Sequence, residues 1–441
     1  MTIKLAIGQS NFETIREKEA YYVDKTHFLE DLLKTEVTVT LITRPRRFGK
    51  SLMLSMTNEF FNICNDKEDT KKLFEGLSIM KRKDLVDKYM AEHPVLHFSF
   101  NGVEGVSFNT LIDSILDRMQ YWCERNENTF AFDKCKKTNI KIFNDLEQGT
   151  DNPKYPDNKK GWKKKISDMQ KFLVTMIAML YDSYGKKVIV LLDEYDVPLA
   201  KAALMEGKVQ FEDMVLSPYE AMKKFIASLF TPAFKDNKLM ERAVITGCLR
   251  IAQASIFTGT NHFAWYGVES PEYSDCFGFS PQEVKQILQD AGFPRKMKAF
   301  KEWYDGYVFW RSKIYCPWDV LMQIGLLQAD RTVDMRSHWS ETSENEILRE
   351  MLRSPNLDIE PQLTALLKGE SISATINNII TYDILEGNED NLWNILYQTG
   401  YLTKSSRNET GDEINLAIPN KEVKMLFEDT IARHPQRVAF S

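Results

Sequence analysis

Val37-Thr-Val-Thr-Leu-Ile-Thr-Arg-Pro-Arg-Arg-Phe-Gly-Lys-Ser51 is the stretch whose reading decides the fold. Residues Val37–Thr43 are apolar or β-branched and read as a short strand. Arg44–Gly49 form a turn-rich connection, and Ser51–Phe61 has the pattern of a helix. Strand, loop, Gly-Lys-Ser and helix is the order that a phosphate-binding loop needs. Backbone N–H groups and the helix N-terminus must wrap the phosphates. In this reading Lys50 reaches the β- and γ-phosphates of ATP, and the Ser51 hydroxyl ligates Mg²⁺. Gly49 lets the backbone come close without a Cβ. Arg46, Arg47, Phe48 and Leu52 complete the nucleotide-binding segment. The usual pattern has a glycine five residues before Gly49, where this chain has Arg44 followed by Pro45. The guanidinium groups of Arg44, Arg46 and Arg47 either add phosphate contacts or face solvent.

A second stretch, Lys187-Val-Ile-Val-Leu-Leu-Asp193-Glu194, reads as a buried strand ending in two acids. A carboxylate at the C-terminal end of a parallel strand lies at the ligand-binding edge of a sheet. Asp193 is the expected Mg²⁺ holder. Glu194 is the expected general base, orienting and deprotonating an attacking water. Asp196 either supports them or organises the following loop. A third strand, Ala243–Thr246, ends in a hydroxyl and leads to Gly247 and Arg250. Thr246 suits a γ-phosphate sensor. Arg250 suits a residue that stabilises transition-state charge, or an ordinary surface ion pair. Gln9–Phe12 and Tyr22 either line an adenine pocket or pack at the surface.

Around these motifs, strands (Val37–Thr43, Val95–Phe100, Lys187–Leu192, Ala243–Thr246) alternate with helices (Ser51–Phe61, Phe108–Arg125, Ile166–Tyr181, Glu220–Phe234). That rhythm implies an α/β fold with a parallel sheet. Residues 148–165, with two Pro and six Lys, read as a surface loop or insertion. Beyond residue 278 the pattern becomes helices and short turns. Ser280-Pro-Gln-Glu283 is a capping box, and a second helix covers Arg295–Tyr304. The aromatic cluster Trp303, Tyr304, Tyr307, Phe309, Trp310, Tyr315 and Trp318 reads as packed core rather than a stacking surface for bases. A helix at Asn391–Gln398 precedes strands Tyr401–Ser405 and Ile414–Ile418 joined by a polar turn at 408–411, the back half of a winged-helix module. The expected domains are 1–277 (P-loop ATPase core), 278–385 (helical lid region) and 386–441 (winged-helix-like module).

Composition limits the function. In 441 residues, 43% hydrophobic and 27% charged content is that of a globular chain, not of a disordered one. No apolar run approaches the ~18 residues that a membrane span needs. A net charge of −6 gives no general attraction for nucleic acid. The six cysteines are scattered, without C-x-x-C spacing or a histidine close by in sequence. Each reads as a small buried hydrophobe, and the set points to a reducing, cytoplasmic setting.

Taken together, Tyr21-Tyr-Val-Asp-Lys-Thr26, Thr43–Leu52, Leu191–Leu199, Thr246–Ala252, Trp303–Tyr307 and Ile418–Glu422 resemble the bacterial AAA-ATPase-like family, which commonly carries a C-terminal PD-(D/E)XK nuclease domain. Arg44 matches that family's own version of the loop. The resemblance implies an additional-strand P-loop NTPase core of AAA type with Mg-ATP as ligand and a helical region after it. The nuclease would begin after the helix that Ile418-Pro-Asn-Lys-Glu422 introduces, and the sequence stops at Ser441, so the chain is expected to be a nuclease-less or truncated member. Glu422-Val-Lys424, with Asp412 upstream, has the nuclease spacing but sits in an amphipathic pattern, Lys421–Ile431, and reads as a helix surface. The partners that this reading admits are a nuclease or a nucleic acid, and further copies of the chain in an oligomer.

Overall fold

The computed structural model describes residues 3–251, 263–339, 359–376, 389–407 and 413–432. The core sheet is built from β1 (Val39–Thr43), β2 (Val95–Ser99) and β3 (Val188–Asp193). A small hairpin, β4 (Val209–Phe211) with β5 (Met214–Leu216), intervenes before β6 (Met240–Gly247) and β7 (Phe263–Tyr266). The five core strands lie in the order β2-β3-β6-β1-β7. Parallel registers join β2 to β3 and β3 to β6. All residues of β1 and β3 are buried, which explains their unbroken apolar, β-branched sequences. The four strands expected from sequence are present. β6 starts earlier than its apolar stretch because Met240 pairs with Val188. β7 and the β4–β5 hairpin carried no clear periodicity.

The chain divides into two compact units. One comprises Met1–Phe28, Thr43–Met53 and Tyr266–Ser441, and the other Leu29–Ile42 and Leu54–Trp265. The second unit holds nearly all of the core sheet. Its helices include Phe108–Asn126, Lys159–Gln170, Phe172–Tyr184 and Pro218–Phe234. The single helix expected at Ile166–Tyr181 is two helices that meet at Lys171. The lysine-rich stretch also differs from the loop expected there. Asn158 accepts from the amides of Lys160 and Gly161 and starts a helix in the middle of the run. Four of its six lysines are committed to the protein's own acids. Lys164 bridges the buried Asp145 and Asp168, Lys154 also holds Asp145, and Lys165 and Lys163 hold Asp113 and Asp213.

In the first unit, helix Pro281–Asp290 opens with the expected capping box of Ser280 and Glu283. Helix Met297–Tyr304, the hairpin β8 (Tyr307–Phe309)–β9 (Ser312–Ile314) and helix Pro317–Ala329 follow. Of the dense aromatic segment, Tyr304, Tyr307, Phe309 and Tyr315 are buried, as expected, whereas Trp303, Trp310 and Trp318 are half-buried. Further on, β10 (Ile372–Thr375), β11 (Thr403–Arg407) and β12 (Glu413–Ala417) form an antiparallel sheet in the order β10-β12-β11. Helix Glu389–Thr399 enters the β11–β12 hairpin, the helix-then-wing order expected, and β10 adds an unexpected third strand. The polar turn 408–411 and Asp412 lie outside the described residues. Helix Lys421–Ala432 is present, but Glu422 is not on its surface. It is fully buried and accepts from the amides of His338 and Trp339. No helix among the described residues is long and apolar enough to cross a membrane.

Candidate functional site

The loop Arg44–Gly49 leaves β1 at Thr43 and enters helix Lys50–Phe61 at Lys50. Both turns in the loop need unusual backbone: Arg47 sits at φ 68° and Gly49 at φ 89°. Lys50 is 6% exposed, and its Nζ donates to the carbonyls of Arg44 (3.0 Å) and Pro45 (2.9 Å). The ammonium thus lies folded over its own loop. Ser51 and Leu52 follow in the first turn, where amides have no partner one turn back.

Arg44 is neither solvated nor turned toward a ligand. It is fully buried, and Nη1 donates to the carbonyls of Thr43 (2.8 Å) and Tyr266 (2.9 Å), while Nη2 donates to that of Tyr273 (2.9 Å). Its carbon centre lies 5.4 Å from the ring centroids of Phe277 and Phe309. Burial pulls its pKa down to about 10, which still leaves it cationic at neutral pH. Phe48 is equally buried, 5.0 Å from the Tyr307 ring and 5.1 Å from that of Phe309. Gly278, at φ 79°, lets this packing close. A Cβ there would come within 2.2 Å of Ile314 and 3.0 Å of Phe48. Arg47 stacks on Trp318 at 4.4 Å and donates to the His338 carbonyl at 3.4 Å. Arg46 is half-buried. Within the first unit, the loop is therefore bound side chain by side chain into the segment 266–339.

The second unit holds the acids. Asp193 ends β3, is 3% exposed, and accepts from the hydroxyl of Thr246 at 2.5 Å. Thr246 lies on the neighbouring strand β6, so the structure brings together two residues that are 53 positions apart. Glu194 follows at φ 54°, a left-handed backbone that a glutamate adopts only at a cost. The next two residues clamp the turn after β6. Tyr195 donates its hydroxyl to the Leu249 carbonyl (2.7 Å) and accepts from the Ile251 amide (3.1 Å). Asp196 accepts from the amides of Cys248 (2.8 Å) and Leu249 (2.9 Å). Asp196 is thus a loop organiser, one of the two roles open to it. Tyr195 was invisible as a partner because its contacts are 54 and 56 residues away. Gly247 is required at this turn. A Cβ would fall 2.6 Å from the Asp196 carboxylate and 2.7 Å from the Tyr195 ring. Arg250 lies with its guanidinium 4.6 Å from the Trp265 ring centroid, and partial burial lowers its pKa.

Other expected candidates have structural duties. Asn11 caps helix Phe12–Glu17, Gln9 accepts from the Asn11 amide, and Phe12 packs edge-on against Tyr22. Of the cysteines, four are buried as expected, but Cys64 is exposed and Cys248 is partly so.

Among proteins similar to this chain is an uncharacterized protein in the vnfD 5' region of Azotobacter chroococcum mcd 1. It is 25% identical over 433 residues, which are 97% of this chain and 70% of that protein. A solved structure, the Walker-type ATPase PABY2304 of Pyrococcus abyssi, aligns over 92% of this chain and 94% of its own, with 14% identity and a TM-score of 0.42. The sequence profile of the AAA-ATPase-like family, described as predicted AAA-ATPases, matches residues 6–257, and with the phosphate-loop geometry and strand order above this chain belongs to that family.

Proposed function

We propose that the chain is a Mg²⁺-dependent ATPase whose nucleotide state is passed to its C-terminal half. The observation that carries this reading is the strand order. β1, which runs into Gly49-Lys50-Ser51, is separated by β6 from β3, which ends in Asp193-Glu194. β6 ends in Thr246, already hydrogen-bonded to Asp193. That order suits hydrolysis, because it sets a polar strand end, Thr246, beside the acids that end β3.

The donor set fits the ion. A hydroxyl and a carboxylate are hard oxygen ligands of the kind Mg²⁺ takes. Ser51 and Asp193 would hold it, and when bound it neutralises charge on the β- and γ-phosphates. Lys50, with Arg46, Arg47, Phe48, Gly49 and Leu52, forms the cradle for the phosphates. Glu194 orients a water and takes its proton as the water oxygen attacks the γ-phosphorus. Thr246 reports the presence of the γ-phosphate, and Arg250 stabilises the charge that develops on the leaving ADP.

The packing of Phe48 and Arg47 on Tyr307, Phe309 and Trp318 supports the coupling. A loop that reshapes around phosphate must disturb those contacts. The division into a core of 1–277, a helical lid of 278–385 and a winged-helix-like module of 386–441 is part of this proposal. A partner, such as a nuclease, would be the recipient of the motion.

Steady-state ATP hydrolysis with Mg²⁺ tests the assignment. Lys50→Ala is expected to abolish ATP binding. Glu194→Gln is expected to keep binding and lose about 100-fold or more in turnover. Full turnover in either variant overturns these roles. Tight binding without turnover in the unaltered chain would replace the ATPase by an ATP-dependent switch that recruits its partner.

A further inference from the structure

We infer that His27, Asp275 and Cys276 form a binding site for a borderline transition-metal dication, Zn²⁺ being the best fit. The site lies wholly within the first unit and shares no residue with the proposed nucleotide site. Among the described residues, these three offer an imidazole nitrogen, a carboxylate oxygen and a thiol sulfur within 4.8 Å of one another. Sequence spacing hides the group, because His27 and Cys276 are 249 residues apart.

The pairwise distances carry the inference. His27 Nε2 is 3.4 Å from Cys276 Sγ and 3.6 Å from Asp275 Oδ1, and the sulfur is 3.9 Å from that oxygen. The two contacts to sulfur lie at hydrogen-bonding distance for a thiol, so the trio also holds together without an ion. One imidazole nitrogen faces both other groups and can serve only one of them with a proton, and 3.6 Å is too long for a hydrogen bond. As the edges of a coordination polyhedron the three distances are good. Metal–ligand lengths of about 2.0–2.3 Å at tetrahedral angles put neighbouring donors about 3.3–3.6 Å apart. A small inward movement of the exposed Asp275 side chain closes the remaining difference.

The backbone on both sides is fixed in advance, as a selective site requires. Lys25 donates to the Asp275 carbonyl (2.8 Å) and pairs with Glu283 (2.8 Å). Phe28, next to His27, packs on the Tyr273 and Phe277 rings at 5.3 and 6.0 Å. Tyr273 is held in turn by Arg44. Cys276 is buried, whereas the His27 and Asp275 side chains are 34% and 65% exposed. The fourth position therefore faces solvent and would take water. A thiolate with an imidazole selects Zn²⁺ or Co²⁺ over Mg²⁺, so the site does not compete for the nucleotide's ion.

Cobalt uptake by the full, nucleotide-free chain under reducing conditions tests this. One equivalent of Co²⁺ is expected to give a thiolate-to-cobalt charge-transfer band and tetrahedral d–d bands, both bleached by Zn²⁺. Cys276→Ser and His27→Gln are expected to abolish the charge-transfer band and the tetrahedral spectrum respectively, while Cys64→Ser keeps both. His27→Gln alters a partly exposed side chain and so remains informative if the buried Cys276 variant does not fold. Absence of a charge-transfer band at stoichiometric Co²⁺, or its survival in Cys276→Ser, overturns the inference.

Discussion

Arg44 stands where a phosphate loop usually has glycine, and it shows what one residue can do when its charge is buried. Its hydrogen bonds run to neutral carbonyls of Thr43, Tyr266 and Tyr273. A guanidinium is the one cation that can spread several donors in a plane and still stack on aromatic rings. Restoring the usual glycine with Arg44→Gly should therefore weaken the protein rather than improve the loop. The void and the lost donors should cost about 3 kcal/mol or more, read as a lower urea midpoint. The sequence made Gly49-Lys50-Ser51 legible because the chemistry is local. It left Arg44 ambiguous, because two of its partners lie 222 and 229 residues further on. Asp193 and Glu194 could likewise be found at a strand end, but the left-handed backbone of Glu194 could not.

At the scale of elements, alternating apolar runs and helical periods revealed every strand of the core sheet but the half-buried edge strand β7, because a buried strand is a continuous local signal. The lysine-rich stretch misled because counting charges says nothing about their counter-charges. Asp113, Asp145, Asp168 and Asp213 lie on other turns or elements and convert the run into a pinned helix. Lys164→Met should expose this. It leaves Asp145 and Asp168 buried with fewer partners, and a loss of about 1–3 kcal/mol in chemical unfolding is expected, where a solvated lysine would cost almost nothing. The turn after β6 depends on a different constraint. Gly247→Ala should push the Asp196–Tyr195 clamp off the 248–251 backbone. A loss of about 1–3 kcal/mol is expected, together with lower ATPase turnover if Thr246 is displaced with it. Thermal unfolding and kcat measured on one preparation check both parts.

For the molecule as a whole, Glu422 ties its own helix to residues 338–339 from a buried position. Burial, reinforced by the neighbouring Asp319 carboxyl, pushes its pKa up to about 9. Asp319 is itself raised by burial. Glu422 therefore binds its proton more tightly in the fold than in the unfolded chain. Its contribution is complete below the ordinary glutamate range and is lost as pH rises toward 9. Melting temperature should fall across that window, and Glu422→Gln, which is neutral at every pH, should flatten the slope. An unchanged slope in the variant would remove Glu422 as its cause. The sequence correctly placed this residue on a helix but read it as part of the helix surface. Its burial depends on a tertiary contact 83 and 84 residues away, which amphipathic spacing cannot report.

The two units exchange the chain four times along its length, and this orders events during synthesis. Phe48 leaves the ribosome early, whereas the rings that enclose it, Tyr307 and Phe309, are made about 260 residues later. At roughly 5–20 residues per second the phosphate loop waits about 13–50 s for its scaffold. A nascent chain that ends before Phe309 carries the whole Gly-Lys-Ser signature with part of its support still unmade, so nucleotide affinity should arrive late and abruptly during translation.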